Sequence, residues 1–122
     1  GDNMLVLETN ETGTIKISKE ALQTIAGMAT VDSYGLVGMV SRNVTNGLGS
    51  ILGLDSIRKG VEVSKTAEGL MVEVYVIVGY GIRISEVGYN IMQKIRYVME
   101  HITGINVAWV NVNVQGVRVA KE

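Results

Sequence analysis

Between Val76 and Gly88 the sequence reads VIVGYGIRISEVG. An apolar strand pattern stops at Gly79-Tyr80-Gly81, and a helical pattern starts a few residues later. Phosphate and dinucleotide loops have this layout: glycines let the backbone approach the pyrophosphate, and the helix N-terminus faces its charge. Here Arg83 would add a cation. The dinucleotide fingerprint G-x-G-x-x-G needs glycine at position 84, which is Ile84, and no second βαβ unit follows to hold a ribose. The Walker pattern Gly-Lys-Ser/Thr does not occur. A plain strand-to-helix turn is the simpler reading, with a looser anion site at the helix start as the alternative.

The other chemical candidates are weaker. Gly35-Leu36-Val37-Gly38 has the spacing of a KH-type RNA clamp, but its middle residues are apolar and Arg42 is the nearest base. With 11 basic and 12 acidic residues the chain has a net charge of −1, so no overall field attracts nucleic acid, and no nucleic-acid partner is expected. His101 is the one histidine and there is no cysteine. A metal site needs several such ligands to converge, so neither metal nor cofactor is expected. His101 instead suits the C-terminal end of a helix, where positive charge is favourable. No nucleophile elbow G-x-S-x-G appears, and Glu62, Glu68, Glu73, Glu86 and Glu100 are scattered, so no catalytic residue is assigned. Glu73 stands in an apolar strand, where partial burial is expected. Asn111, Asn113 and Gln115 form a polar ladder suited to a solvent face, a polar ligand or another subunit.

The aromatic residues give a better lead. Tyr34, Tyr80 and Tyr89 all lie at or near glycine-rich junctions, and with Met39 they could form a recognition patch. The residues expected to meet a protein partner are Tyr34, Gly35, Gly38 and Met39 on one turn, and Gly79, Tyr80, Gly81, Arg83 and Glu86 on another.

The elements that position these turns follow from periodicity. MLVLETNETGTIKIS reads as two short strands joined at Asn10–Gly13. Ser18 caps a helix with Leu22, Ile25, Ala26 and Ala29 on one face, ending between Ala29 and Asp32. From Tyr34 to Gly60 the sequence is irregular, with a helical turn possible between Leu48 and Leu52 and a loop expected over 43–54. Residues 61–78 form a hairpin turning at Ala67-Glu68-Gly69, in which Val72, Val74, Val76 and Val78 share a face. Apolar residues on both faces of its second strand place that strand centrally. A second helix, capped by Ser85, carries Ile84, Val87, Ile91, Ile95, Val98 and Ile102 toward the core and stops at Gly104. In the last strand the apolar phase changes near Trp109, which predicts a bulge.

The expected fold is therefore α+β: a two-layer sandwich with two helices packed on one face of a mixed sheet, in the order β(β)-α-β-β-α-β. A ferredoxin-like split βαβ topology is the first expectation and a KH-like one the second. The 122 residues suit a single domain over 1–122, and 47% hydrophobic against 19% charged residues argues against disorder. No run of about 18 apolar residues occurs, so no direct membrane insertion is expected. No basic start precedes an apolar run, so no signal peptide is expected.

Several stretches together resemble a known family. They are GTIKIS at 13–18, VDSYGLVGM at 31–39, KGVEV at 59–63, VEVYVIVGYGIRISEV at 72–87 and TGINVAWVNVNVQGVRV at 103–119. The family is the alkaline-shock-protein, or envelope stress response, family of Gram-positive bacteria, in its short single-domain branch found near genes of fatty acid kinase type. The resemblance implies a small cytoplasmic α+β protein without established catalytic activity. It also implies self-association, and membrane association through a separate anchor protein. The expected function is a non-enzymatic interaction or scaffold protein of the envelope or alkaline stress response, a homo-oligomer with protein partners. The alternative, suggested by the gene neighbourhood, is an accessory that binds a small molecule or acyl group.

Overall fold

A computed structural model describes residues 3–42 and 54–119. In chain order the elements are β1 (Met4–Thr9), β2 (Thr14–Ser18), α1 (Lys19–Val31), β3 (Leu36–Met39), α2 (Leu54–Lys59), β4 (Val61–Thr66), β5 (Gly69–Gly79), α3 (Ile84–Thr103) and β6 (Val107–Arg118). The class is α+β, as the patterning predicts. The expected helical turn at 48–52 lies outside the described residues, as does nearly all of the expected 43–54 loop.

Local chemistry sets the first elements. The Asn10 side chain accepts from the Thr12 and Gly13 amides at 2.8 and 3.2 Å, closing the β1–β2 turn. The Ser18 hydroxyl accepts from the Ala21 amide at 2.9 Å, satisfying an amide that the first turn of α1 leaves unpaired. α3 starts earlier than expected. Its N-cap is Arg83, without a side-chain cap bond, and Ser85 lies inside the helix. The Ile82 amide closes on the Gly79 carbonyl at 3.3 Å, so the tight glycine turn hands the chain to the helix before Ser85 is reached. Gly104 closes α3 at φ +73, as its sequence position predicts.

β5 is the centre of the main sheet. β6 runs parallel to it from Leu70↔Val107 to Gly79↔Arg118 and so takes one whole edge. The opposite edge is shared end to end: β4 pairs antiparallel with Gly69–Val74, and β3 with Val76–Val78. The handover falls at Tyr75, whose amide donates to Gly60 O at 2.9 Å and whose carbonyl accepts from Val40 at 3.1 Å. The backbones crowd there, and a Cβ on Gly60 would stand 2.9 Å from the Val40 carbonyl oxygen. This corrects the topology expected from the sequence. A split βαβ would place another strand between the two parallel ones, whereas β5 and β6 are direct neighbours joined through α3. β3 and α2 are additions to the expected order. β6 slips register between Val107 and Trp109, where Ala108 is the extra residue, so the predicted bulge is present, and it slips again between Val114 and Gly116.

The core lies between the helices and one sheet face. Val72, Val74, Val76 and Val78 meet Leu22, Ala26 and Ala29 of α1 and Val87, Ile91, Ile95 and Met99 of α3. The buried stripe of α3 thus repeats every four residues and ends on Met99 and Thr103. Ile84 and Ile102, assigned to it from the sequence, are exposed.

On the other sheet face Tyr75 and Ile77 form a smaller buried cluster with Val40. The Tyr75 hydroxyl donates to Glu62 Oε1 at 3.5 Å. Burial, and then the charges of Glu62 and Glu73, raise its pKa above the usual value of 10.0. A raised folded-state value means that the unfolded chain loses this proton first as pH climbs. The stabilisation is therefore complete below pH 10.0 and is lost as pH passes through the folded-state pKa. Urea melts at rising alkaline pH should show this loss, and Tyr75→Phe should reduce its slope. An unchanged slope would remove Tyr75 from the cause.

Candidate functional site

The two turns singled out in the sequence meet at one end of the sheet. α1 stops at Val31, the Ser33 amide bonds Thr30 O at 3.1 Å, and Gly35 at φ +88 turns the chain into β3. The Gly35 carbonyl then accepts from the Gly79 amide at 3.1 Å, tying this turn to the end of β5. A Cβ on Gly35 would lie 2.9 Å from Val87 Cγ2 and 3.0 Å from Ile82 Cγ2, so the turn sits directly on the start of α3.

Tyr34 and Tyr80 are thrown outward on either side, 85% and 74% exposed. Between them lies a recess of about 390 Å³ with Leu36, Val37 and Ile82 in its lining and Arg118 at its side. The Tyr80 amide bonds Arg118 O at 2.9 Å, so this tyrosine stands on the junction of β5 and β6.

Of the residues expected at a partner site, Tyr34, Gly35, Gly79 and Tyr80 line this recess, and Gly81 lies exposed beside it. Arg83 and Glu86 are exposed at the start of α3, outside the lining. Gly38 and Met39 are buried within β3 and are not part of the lining. Arg118 was missed, because only the parallel register of β6 brings it here. Tyr89 belongs elsewhere, to a groove beside β6.

Three amides of the glycine turn are already paired. The Gly79, Tyr80 and Ile82 amides bond Gly35 O, Arg118 O and Gly79 O. Those amides are taken up by the turn and its sheet pairing, so they are not presented to a phosphate. Nor is Gly35–Gly38 a clamp loop, because Leu36–Met39 is strand.

The polar ladder is spent internally. Asn113 Nδ2 donates to Glu73 Oε1 at 3.1 Å and Val74 O at 3.2 Å, and Gln115 Nε2 donates to Arg42 O at 3.1 Å. Asn111 Oδ1 accepts from Trp109 Nε1 at 2.6 Å. His101 stacks on Tyr97 with ring centroids 6.0 Å apart. Among the described residues no group of three His, Cys, Asp or Glu side chains could hold a metal ion. A second apolar groove, of about 540 Å³, runs between α1 and α3, with Met28 and Ile102 in its lining and the Asp32–Lys94 ion pair beside them. Lys94 holds the Asp32 carboxyl below its usual pKa.

Fold and site together define a small α+β domain whose sequence-predicted turns converge on an aromatic recess. Residues 7–119 match the alkaline shock protein 23 family, described as having a cell envelope-related function, and the chain belongs to that family. It is 44% identical over 108 residues to the uncharacterised protein YloU of Bacillus subtilis strain 168, covering 88% of this chain and 90% of that one. It is 33% identical over 120 residues to the uncharacterised protein Spy1614 of Streptococcus pyogenes serotype M6, covering 98% and 99%. To YqhY of B. subtilis, also uncharacterised, it is 26% identical over 111 residues, covering 91% and 82%. No solved structure matches it. Among the described residues no helix is long and apolar enough to cross a membrane.

Proposed function

We propose that this envelope-family protein is a non-enzymatic interaction protein. It acts in the cytoplasm through self-association and protein partners, one of which holds it at the membrane. The observation that carries this reading is the Tyr34–Tyr80 recess. Two large aromatic side chains are held outward by hydrogen-bonded backbone, over an apolar floor with an arginine at the side. Tyrosine and arginine around a small apolar pocket are the residue types that dominate binding energy at protein interfaces.

The test is capture by immobilised protein from soluble and detergent-solubilised membrane fractions of Gram-positive cells. Tyr34→Ala and Tyr80→Ala should each weaken capture of the same protein by at least about tenfold, the effect of a hot-spot truncation. Tyr97→Ala, farther along α3, should capture it as wild type does. Capture unchanged in both recess variants, with circular dichroism showing them folded, would remove the recess from the interaction.

A further inference from the structure

Two copies of this chain, we propose, pair antiparallel through the outer edge of β6 about a two-fold axis at Val112, joining their main sheets into one. The proposal rests on the interaction reading above for self-association and adds the face that makes it.

β6 is twelve residues long, and its outer edge has no strand neighbour among the described residues. Proteins that keep an edge free blunt it with charge or cover it. The outer edge of β4 is treated so: Gln23 Nε2 donates to Val61 O at 2.9 Å, and Lys19 and Glu62 line the surface beside it. β6 carries no charge from Val107 to Val117. Its two register shifts lie at Ala108 and Gln115, which leaves 109–114 regular.

The sequence of that regular stretch identifies the partner. Val110-Asn111-Val112-Asn113-Val114 reads the same in both directions. Antiparallel pairing centred on Val112 sets Val110 opposite Val114 of the second copy, Asn111 opposite its Asn113, and Val112 opposite itself. Residues directly opposite share a face, so valines meet valines on the helix side and asparagines meet asparagines on the other. A palindromic edge is complementary to itself without further adjustment.

The surroundings agree. A groove of about 440 Å³ runs along this edge, walled by Ile84, Gly88, Tyr89 and Met92 of α3 and by Trp109, and none of its lining residues is charged. Near a two-fold axis every group approaches its own image, so a charge there would repel itself and a neutral lining suits an isologous contact. Tyr89 is 60% and Trp109 57% exposed in the single chain, which leaves apolar area to cover. Twelve residues at about 3.3 Å give an edge roughly 40 Å long. The sheet edge is about 10 Å wide, and the α3 strip from Ile84 to Met92 adds about 12 Å by about 10 Å, so the contact covers roughly 500 Å² per partner, about the 1,000 Å² in total that a specific interface must reach.

The test uses the absence of cysteine from the chain. Sedimentation of the unmodified protein should show a dimer at micromolar concentration. Val112→Cys should form a disulfide-linked dimer on mild oxidation, because a residue opposite its own image has Cα atoms about 5 Å apart. Val117→Cys, five residues from the axis and about 30 Å from its image, should not. Tyr89→Glu should shift the protein to monomer. A monomer at all concentrations up to about tenfold higher overturns the proposal, as does a dimer that fails to cross-link at position 112. Neither Val112 nor Tyr89 lines the Tyr34–Tyr80 recess, so partner capture by Val112→Cys tests that reading separately.

Discussion

Gly35→Ala should lower the melting temperature by roughly 10 °C, while Gly81→Ala should cost less than half as much. The two glycines have nearly equal backbone angles, φ +88 and φ +89. A Cβ in that left-handed region costs about 1–2 kcal/mol at either position. Their surroundings differ: a Cβ at Gly81 meets nothing within 4 Å, whereas at Gly35 it meets Val87 and Ile82 at 2.9 and 3.0 Å. Both neighbours are β-branched and stiff, so neither yields easily, and overpacking of this kind adds about 1–3 kcal/mol. At about 3–5 °C per kcal/mol for a chain of this size, the sum gives the stated shift. Calorimetry on the pair separates the packing effect from the backbone effect. Equal losses would mean that the Gly35 turn does not rest on α3.

Ile95→Ala should destabilise the fold by about 3–4 kcal/mol, and Ile102→Ala by under about 1. Both isoleucines lie on α3 and both read as core from their spacing. Ile95 is fully buried among the valines of β5, so truncation leaves a cavity in a close-packed interior. Ile102 is 55% exposed beside the α1–α3 groove, and its loss leaves no void. Urea denaturation measures both, with an unchanged slope expected if only the native state is affected. Similar losses would place the buried face of α3 between the two residues and contradict the packing described.

Several parts of the fold were legible in the sequence. Ser18, Gly104 and the Asn10–Gly13 turn announce themselves because the chemistry is local, within three or four residues. The alternating valines of β5 report a central strand because both of its faces are covered. The change of phase at Trp109 reports the bulge because one extra residue must flip the alternation. β3 was not legible. Leu36-Val37-Gly38-Met39 is short, contains a glycine and turns toward the interior at its end, so alternation never develops. α2 has six residues, fewer than two turns, too few for a period to show. The exclusion of Ile84 and Ile102 from the core could not be read either, since a stripe built on steps of three and four looks the same as one built on steps of four. Of the recess, the tyrosines were visible from their glycine neighbours, but their meeting depended on the end-to-end sharing of one β5 edge by β3 and β4. That sharing is a long-range pairing with no local signature.

The same sharing makes the two sides of the recess unequal in their pairing. Tyr80 stands at the end of β5, a strand paired along one whole edge with β6. Tyr34 precedes a four-residue strand that pairs at three positions and slips register between the first two. Segments held by few pairs open locally at low free energy, without unfolding of the rest. Tyr34 therefore stands on the less firmly paired side of the recess and Tyr80 on the firmer one, so amide exchange should be faster in β3 than in β5. If the recess takes a partner as proposed, substitutions in β3 outside the lining should change that affinity without touching the partner.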